Sequence, residues 1–385
     1  MEVAMEVGVN YPWMRNDPIT IGPNIHEKGK PHPWQAAGSD LDRNLATLRG
    51  LGVTVVRMWL MAHGVNYDGT VSCVTAFREA HRWRFEPPQR VHQKFLDDVE
   101  ELLLKVEKAG LRIVPVLLDY GFFDGPEAWS LQYFGPGAAT PTNLNYGRGR
   151  RAVAEDPNYR ATFVNGTVKP LVAAIAKHRK VVHAVDVVNE PYWCVSPLTG
   201  ELFGPAVKQD ALVALMKDCV AAVEAAGLPS TIGHRYYRDI TNVFGSVKVT
   251  RPQFHYYASV PGRDALPVLS GLSGPRPFLG EFGCITGGEL DAVQRDAAAR
   301  GDKVVLEQIK PMRRTQNLWP VLQQSRKTQA PDAILTERLD WLADFGYELA
   351  LVWPNAILPD PGREDLKFDA LRRGQIAEFT RRRPG

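Results

Sequence analysis

The sequence is poor in cysteine, and its few cysteines are far apart. Four are present among 385 residues, at Cys73, Cys194, Cys219 and Cys284, and no two have the Cys-x-x-Cys spacing. Zinc knuckles and disulfide frameworks both depend on closely spaced or regularly repeated cysteines. We therefore expect free thiols, and the sequence does not indicate either kind of site.

Long apolar runs and an excess of one charge are missing as well. No apolar stretch approaches the roughly 20 residues that a membrane-spanning helix needs, and 46 basic residues against 43 acidic ones leave a net charge of +3. The basic residues are scattered apart from Arg381, Arg382 and Arg383, which we expect to form a frayed, solvated end. Nucleic-acid and membrane binding therefore have little support.

The first residues lack the features of a signal peptide. They carry Glu2 and Glu6 where a leader has a basic segment followed by a long apolar one. We expect the protein to be either cytoplasmic or secreted with its leader removed.

The apolar residues are arranged as short runs that alternate with longer amphipathic ones. With 44% hydrophobic and 23% charged residues, the chain can bury a large core. Eight strands are predicted, at Val7–Trp13, Val53–Leu60, Leu111–Leu118, Val181–Val188, Ser230–His234, Pro252–Tyr257, Phe278–Phe282 and Leu349–Trp353. Amphipathic helices are predicted between several of them, and this alternation is typical of βα units. Eight such units close into a (β/α)8 TIM barrel, an α/β fold.

A barrel of this kind needs roughly 250 residues, so about a third of the chain remains for extended loops. The longest loops are predicted after strands three and seven, at residues 119–156 and 284–331. Loops of this length are typical of lids or binding walls, although the second can also form an oligomer contact. We predict a single catalytic domain over residues 1–385 that contains 284–331 as an insertion, and the oligomeric state stays open.

Two glutamates at strand ends are the strongest functional signal. Glu190 follows the fourth predicted strand in an Asn-Glu-Pro motif, and Glu281 ends the seventh in a Gly-Glu-Phe-Gly motif. Such positions lie at one rim of a barrel, where a substrate can reach them. Glycoside cleavage needs a carboxyl pair, because one group protonates the leaving oxygen while the other stabilises the oxocarbenium charge. We predict Glu190 and Glu281 as catalytic residues, with no metal and no cofactor.

Other residues at the strand ends suit the same chemistry. Arg57 and the hydroxyl group of Tyr257 can hold Glu281 as an anion, whereas burial beside Trp193 favours the protonated form of Glu190. Further substrate contacts are predicted at Asn189, for a sugar 2-hydroxyl, and at His255 and Asp119. Aromatic faces for sugar rings are predicted at Trp353, Trp13, Trp193, Trp34, Phe122 and Trp129.

Several of these residues also have structural interpretations. Both glutamates can be surface acids, and Arg57 can neutralise Asp186. His255 can be a core histidine bonded to backbone, and Asp119 can cap a loop. In the same way, Trp59 and Trp341 can belong to the core.

The ordered set resembles clan A glycoside hydrolases, and most closely glycoside hydrolase family 5. That family pairs an acid/base glutamate in Asn-Glu-Pro after strand four with a nucleophilic glutamate after strand seven, which Glu190 and Glu281 match. Three further residue types of the family, an arginine on strand two, a His-x-Tyr on strand six and a tryptophan on strand eight, are matched by Arg57, His255, Tyr257 and Trp353.

The resemblance has one departure, at the end of strand three. Many family members have a histidine there, whereas this chain has Asp119. The resemblance implies a retaining hydrolase of β-linked glycosides or polysaccharides, of β-mannan or β-glucan type, acting by double displacement through a covalent glycosyl-enzyme. A transglycosylase or a noncatalytic carbohydrate-binding barrel are the alternatives. A metal-dependent barrel hydrolase has less support, because the first strand lacks a His-x-His.

Overall fold

The computed structural model describes fifteen stretches of the chain. They are residues 5–11, 13–14, 17–18, 40–61, 76–79, 82–85, 90–91, 93–123, 146–195, 207–235, 237, 239–256, 276–282, 334–353 and 370–383. The predicted insertion at 284–331 lies outside them, as do Cys73, Cys284, Trp34, Trp129 and Tyr257. The assignment of the whole chain to a single domain stays a prediction.

Eight parallel strands close into a barrel. They are β1 (Glu6–Asn10), β2 (Val55–Trp59), β3 (Arg112–Asp119), β4 (Val185–Asn189), β5 (Ser230–His234), β6 (Gln253–Tyr256), β7 (Phe278–Phe282) and β8 (Leu349–Val352). Each strand pairs with the next along the chain, and β8 pairs with β1, with Val7 opposite Ala350. The predicted (β/α)8 barrel is therefore confirmed.

Helices lie between the strands in the chain order that the fold requires. They are α1 (Asp40–Gly50), α2 (Gln93–Lys108), α3 (Tyr146–Glu155), α4 (Pro157–Phe163), α5 (Lys169–Ala176), α6 (Gln209–Ala225), α7 (Ile334–Asp344) and α8 (Ala370–Arg382). A π-helical turn, Val164–Val168, joins α4 to α5. Two antiparallel strand pairs lie apart from the barrel, Trp13–Met14 with Asp17–Pro18 and Ala76–Glu79 with Arg82–Phe85. No described helix combines the length and the apolar character needed to cross a membrane.

The main core lies between the strands and the helices. The apolar side of α2 is fully buried there, as its spacing in the sequence predicts, and it consists of Phe95, Val99, Leu102, Leu103 and Val106. Each such side chain contributes about 1.5–3 kcal/mol relative to an exposed one. This stripe fixes α2 against the barrel.

Two helices end at glycines that adopt the left-handed backbone conformation. Gly110 after α2 has a φ of 69°, and Gly227 after α6 has a φ of 74°. In each case the following N–H reaches back to the helix, from Leu111 to the carbonyl group of Val106 and from Leu228 to that of Val223. This closes the helix and turns the chain into the next strand.

Some predicted boundaries differ from the structure. The first strand ends at Asn10, because Trp13 belongs to a separate strand pair. The fourth begins at Val185, since a 3-10 turn occupies Arg179–Val181. The stretch predicted as a loop, 119–156, contains α3, whose apolar residues are spaced for one buried side.

The C-terminal arginines are not a frayed end. Arg382 donates to Asp340 at 2.8 Å, and Arg383 donates to Asp344 at 2.8 Å. Both acids lie on α7, so complementary charge holds α8 against its neighbour. The two free thiols described, Cys194 and Cys219, are buried.

The amino-terminal half of the barrel interior is apolar. It is filled by Val55, Val114, Phe278, Leu349 and Leu351. Gly8 faces the same space, because a Cβ atom there would lie 2.1 Å from Cδ2 of Leu351 and 2.8 Å from the carbonyl oxygen of Val55. The strand β1 therefore tolerates no side chain at this position.

Replacement of Gly8 by alanine is expected to destabilise the protein by about 1–3 kcal/mol, because the backbone of Val55 cannot move aside. Urea denaturation followed by circular dichroism measures the change. Gly374→Ala is the control, since its Cβ would meet nothing within 4 Å on α8, and it should be neutral or stabilising by up to about 1 kcal/mol. Equal effects of the two substitutions would contradict this account of Gly8.

Candidate active site

The two predicted catalytic carboxyl groups meet at the carboxyl-terminal rim of the barrel. Glu190 directly follows β4, and Glu281 lies near the end of β7. One carboxylate oxygen of each and one ring nitrogen of His255 all lie within 4.8 Å of one another. The side chains are only 16% and 5% exposed, so neither glutamate is a surface acid.

The backbone at Glu190 is strained. Its φ of 47° is the only positive value among the described residues other than glycine, and such a conformation costs about 1–3 kcal/mol. Its N–H donates to the carbonyl oxygen of Gly233 at 2.7 Å, and its own carbonyl oxygen accepts from the N–H of Trp193 at 3.0 Å. Contacts with β5 and with the short helical turn Tyr192–Val195 thus hold the residue in place.

The surroundings of Glu190 favour its protonated form. Burial raises its pKa to about 7, and the negative charge of Asp119 acts in the same direction. The indole N–H of Trp193, 2.7 Å from Oε2, opposes this shift because it stabilises the carboxylate. The predicted effect of burial on Glu190 is confirmed in direction.

A fully buried arginine holds Glu281. Nη1 of Arg57 donates to Oε1 of Glu281 at 2.7 Å and to the side-chain oxygen of Asn10 at 3.0 Å. Nε and Nη2 donate to Oδ2 of Asp186 at 3.1 and 2.7 Å, and Nη2 also donates to Asn189 at 2.6 Å. The sequence left open whether Arg57 serves Glu281 or Asp186, and the structure shows that it serves both.

The charge of Arg57 is secured by its two acids. Burial opposes a buried cation, but Asp186 and Glu281 outweigh it and raise the pKa of Arg57. Asp186 accepts further bonds from the N–H of Gly233 at 2.9 Å and from Nε2 of Gln253 at 2.6 Å. The guanidinium group therefore favours the ionised form of Glu281, as predicted.

Asp119 orients Asn189 and Trp59. Its Oδ2 accepts from Nδ2 of Asn189 at 2.8 Å and from Nε1 of Trp59 at 3.1 Å. The amide of Asn189 is thereby fixed with its oxygen toward Arg57 and its nitrogen toward Asp119. Asp119 therefore serves the polar cluster around Arg57.

His255 contacts both glutamates. Its Nδ1 is 2.8 Å from Oε1 of Glu190 and 3.4 Å from Oε2 of Glu281. Burial lowers its pKa to about 4, although Glu281 opposes this, so the ring is neutral near pH 7. The interpretation as a core histidine bonded to backbone is wrong for Nδ1, because its partners are carboxyl groups.

The aromatic residues that were predicted to contact sugar rings differ in how deeply they are buried. Trp353 is half-buried beside the rim and meets Trp59 edge to face at 5.8 Å, while Trp59 is buried beneath Arg57. Phe122 is buried at 1% exposure, so the prediction that it contacts a sugar is wrong. The side chain of Trp13 and all of Tyr257 lie outside the described residues, and their roles stay predictions.

Irregular strand pairing accompanies the site. The register shifts between Asp186 and Asn189 where β4 meets β5, between Phe254 and His255 where β6 meets β7, and between Leu279 and Phe282 where β7 meets β8. Such shifts change which side chains face the barrel axis. In a regular strand, side chains three positions apart face opposite sides. The shifts allow both Phe278 and Glu281 to face the barrel axis.

A metal ion is poorly suited to this group. Glu190, His255 and Glu281 are ligand types in the right proximity, but the cation of Arg57 lies 2.7 Å from Glu281 and would repel a divalent ion. The distances from His255 are those of hydrogen bonds to carboxyl groups. The arrangement suits proton transfer and nucleophilic attack better than metal binding.

Asn10, Gln253, Gly233 and Arg235 had no predicted role at the site. Gln253 lies two residues before His255 on β6, so both side chains are expected to face the same side of the strand. This spacing could have identified Gln253 from the sequence. Gly233 is small because a Cβ atom would lie 2.8 Å from Nη2 of Arg57. Arg235 lies just beyond β5 and is distinguished in sequence only by its place at a strand end.

Solved structures resemble this chain in fold. They include a β-mannanase from the blue mussel Mytilus edulis (14% identity, TM-score 0.57), which covers 98% of this chain and 92% of its own. An endo-1,4-β-mannanase from Eisenia fetida has 17% identity and a TM-score of 0.57, with coverage of 99% and 91%. A β-1,4-mannanase from the sea hare Aplysia kurodai has 15% identity and a TM-score of 0.56, with coverage of 98% and 92%.

These likenesses concern the fold, because the identities are low. No protein-family model matches the chain, and no curated protein matches it in sequence. The resemblance to clan A glycoside hydrolases that the motifs indicate is borne out at the level of the fold. The barrel, with two carboxyl groups close together at its carboxyl-terminal rim, is the arrangement from which a function can be proposed.

Removal of the buried cation of Arg57 should strongly destabilise the folded protein. Arg57→Met leaves Asp186 and Glu281 without their partner, and we expect a loss of about 3–5 kcal/mol in the free energy of unfolding. Lys177→Met is the control, because the side chain of Lys177 is 64% exposed and pairs with Glu100, and it should cost no more than about 1 kcal/mol. Urea denaturation at pH 7 compares the two, and similar losses would show that Arg57 does not hold the cluster together.

Proposed function

We propose that the protein is a retaining β-glycoside hydrolase. The observation that carries this proposal is the pair of carboxyl groups with oxygens within 4.8 Å, one beside a guanidinium group and one whose pKa is raised to about 7 by burial. Retaining enzymes place their carboxyl groups about 5–5.5 Å apart, whereas inverting enzymes need about 6.5–9.5 Å to admit water. The short spacing supports a covalent intermediate.

In the first step Glu281 is the nucleophile. A carboxylate oxygen of Glu281 forms a bond to the anomeric carbon as the bond to the leaving oxygen breaks. Glu190 gives its proton to that oxygen, so the leaving alcohol departs neutral and Glu190 becomes a carboxylate. Arg57 keeps Glu281 ionised and aimed, since it holds Oε1 at 2.7 Å.

In the second step water releases the sugar. The carboxylate of Glu190 takes a proton from a water molecule, whose oxygen bonds to the anomeric carbon as the ester to Glu281 breaks. Both carboxyl groups return to their starting states, and the anomeric configuration is retained. His255, neutral and bonded to Glu190, lies where it can stabilise either protonation state of that group.

A β-linked mannan is the substrate class that we propose. Solved structures similar in fold include β-mannanases, and the half-buried Trp353, whose backbone N–H bonds to the residue after Glu281, places an aromatic ring at the same rim. A panel of β-mannan, β-glucan and xylan, read by product size, tests this choice. Release of product from glucan or xylan alone would exclude mannan while leaving the mechanism in place.

The nucleophile can be trapped directly. A 2-fluoro mannosyl fluoride should form an ester with Glu281, because the 2-fluorine slows both steps while the good fluoride leaving group keeps the first one fast, and peptide mass spectrometry should place the adduct there. Glu281→Gln should lower turnover of β-mannan by a factor of at least about 10⁴, because a nucleophilic carboxylate is lost.

Glu348→Gln is the matched control, since Glu348 pairs with Arg251 and precedes β8 at the opposite end of the barrel. Its turnover should stay near that of the wild type. An adduct on a residue other than Glu281 would refute the assignment of the nucleophile.

The pH dependence should report Glu190. The first step needs Glu190 protonated, so kcat/KM for β-mannan should fall as the pH rises through about 7, the value to which burial raises its pKa. A dinitrophenyl glycoside needs no proton on its leaving group, so its kcat/KM should lack this decline. A decline of equal size for both substrates would assign the alkaline limb to another group.

A further inference from the structure

Trp193 donates two hydrogen bonds to Glu190. Its backbone N–H donates to the carbonyl oxygen of Glu190 at 3.0 Å, and its indole N–H donates to Oε2 of the same residue at 2.7 Å. Trp193 lies three residues after Glu190, and the short helical turn Tyr192–Val195 brings its indole ring back to the carboxyl group. Main chain and side chain of Glu190 are therefore held by one tryptophan.

A stacked arginine covers that tryptophan. The guanidinium carbon of Arg235 lies 3.6 Å from the ring centre of Tyr192 and 4.8 Å from that of Trp193. The two rings meet edge to face at 6.1 Å. Arg235 is itself paired with Asp239, whose side chain is only 2% exposed, at 3.4 Å. Stacking of this kind restrains the rings because the flat cation is attracted to both faces.

The two oxygens of Glu190 have different partners. Oε1 faces Nδ1 of His255 at 2.8 Å, and Oε2 accepts from Trp193. Indole N–H is a donor only, so Oε2 must offer a lone pair in that direction. The tryptophan thereby limits the orientations open to the carboxyl group.

We propose that Trp193 is a positioning residue for Glu190 and that Arg235, stacked on Tyr192 and Trp193, holds the indole in the orientation that this requires. The consequence for turnover rests on the proposed hydrolase function, whereas the consequence for the Glu190 carboxyl group does not. This role differs from that of a sugar platform, which uses the ring face and makes no demand on the indole nitrogen.

The direction of the effect follows from the donor. Hydrogen bonding from an indole N–H stabilises a carboxylate more than a carboxylic acid, so its loss favours the protonated form of Glu190. The charge of Arg235 acts in the same direction as the indole. Within the part of the chain that the structure describes, the charged and titratable groups that face Glu190 are Arg57 on β2, Asp119 on β3, Arg235 after β5, His255 on β6 and Glu281 on β7.

The test is a titration of Glu190 without substrate. Carbon-13 NMR of side-chain-labelled glutamate follows the carboxyl signal of Glu190, assigned by its absence in Glu190→Gln. Trp193→Phe keeps a ring for Arg235 but removes the donor, and we expect its midpoint to rise by about one pH unit. Arg235→Gln should also raise it, and Arg160→Gln, which alters an ion pair on the outer surface, should leave it unchanged.

An unchanged midpoint in a folded Trp193→Phe variant would overturn the proposal. If that variant fails to fold, by near-ultraviolet circular dichroism, Arg235→Lys carries the test, because it keeps the charge and loses the flat guanidinium group, and an unchanged midpoint there overturns the role of the stacked arginine. Kinetics at about pH 5, where Glu190 is protonated in both enzymes, give a second readout: Trp193→Phe should lower kcat/KM for β-mannan about tenfold through loss of orientation while sparing the dinitrophenyl glycoside. Absence of any glycosidase activity in the wild type would refute the proposed function and would leave the titration result valid.

Discussion

The buried guanidinium group of Arg57 is the interaction on which the rest of the site depends. Its five N–H groups are all used, by Asn10, Asp186, Asn189 and Glu281. A cation without water must be surrounded by acceptors, and those acceptors come from three strands other than its own, β1, β4 and β7. The same bonds that satisfy the charge therefore also set the positions of β1, β2, β4 and β7 relative to one another at the rim.

The two glutamates are chemically identical, so their surroundings must make them different. Glu281 is paired with a cation, whereas Glu190 is buried against an indole N–H and a neutral imidazole ring and faces the negative charge of Asp119. One environment favours the carboxylate and the other the acid. That division suits a reaction in which one group attacks and the other donates a proton. The strained backbone at Glu190 fits this view, because strain persists where the surrounding structure holds a residue firmly.

The barrel and its pair of rim carboxyl groups were predictable from the sequence because both follow from simple periodicity. Short apolar runs mark the strands, and residues just after them gather at one rim. Less predictable was the inward direction of Glu281, which depends on irregular pairing that alternation cannot reveal. Gly280 beside it was a hint, since glycine within a strand often marks such a place. Phe122 was misassigned because an aromatic residue near a strand end looks the same in sequence whether it faces a sugar or the core. Arg235 was missed for a related reason: stacking on neighbouring rings leaves no spacing signal.

Closure of the barrel by β1 and β8 has a consequence for biosynthesis. Glu6–Asn10 leaves the ribosome before its partner Leu349–Val352, which emerges only after more than three hundred further residues have been translated. Until then β1 has an unpaired edge, and Asn10 cannot reach the carbonyl oxygens of Gly280 and Leu351 that it binds in the finished molecule. Closure of the barrel therefore has to wait until β8 has been synthesised, and until then the unpaired edge of β1 is open to pairing with other chains.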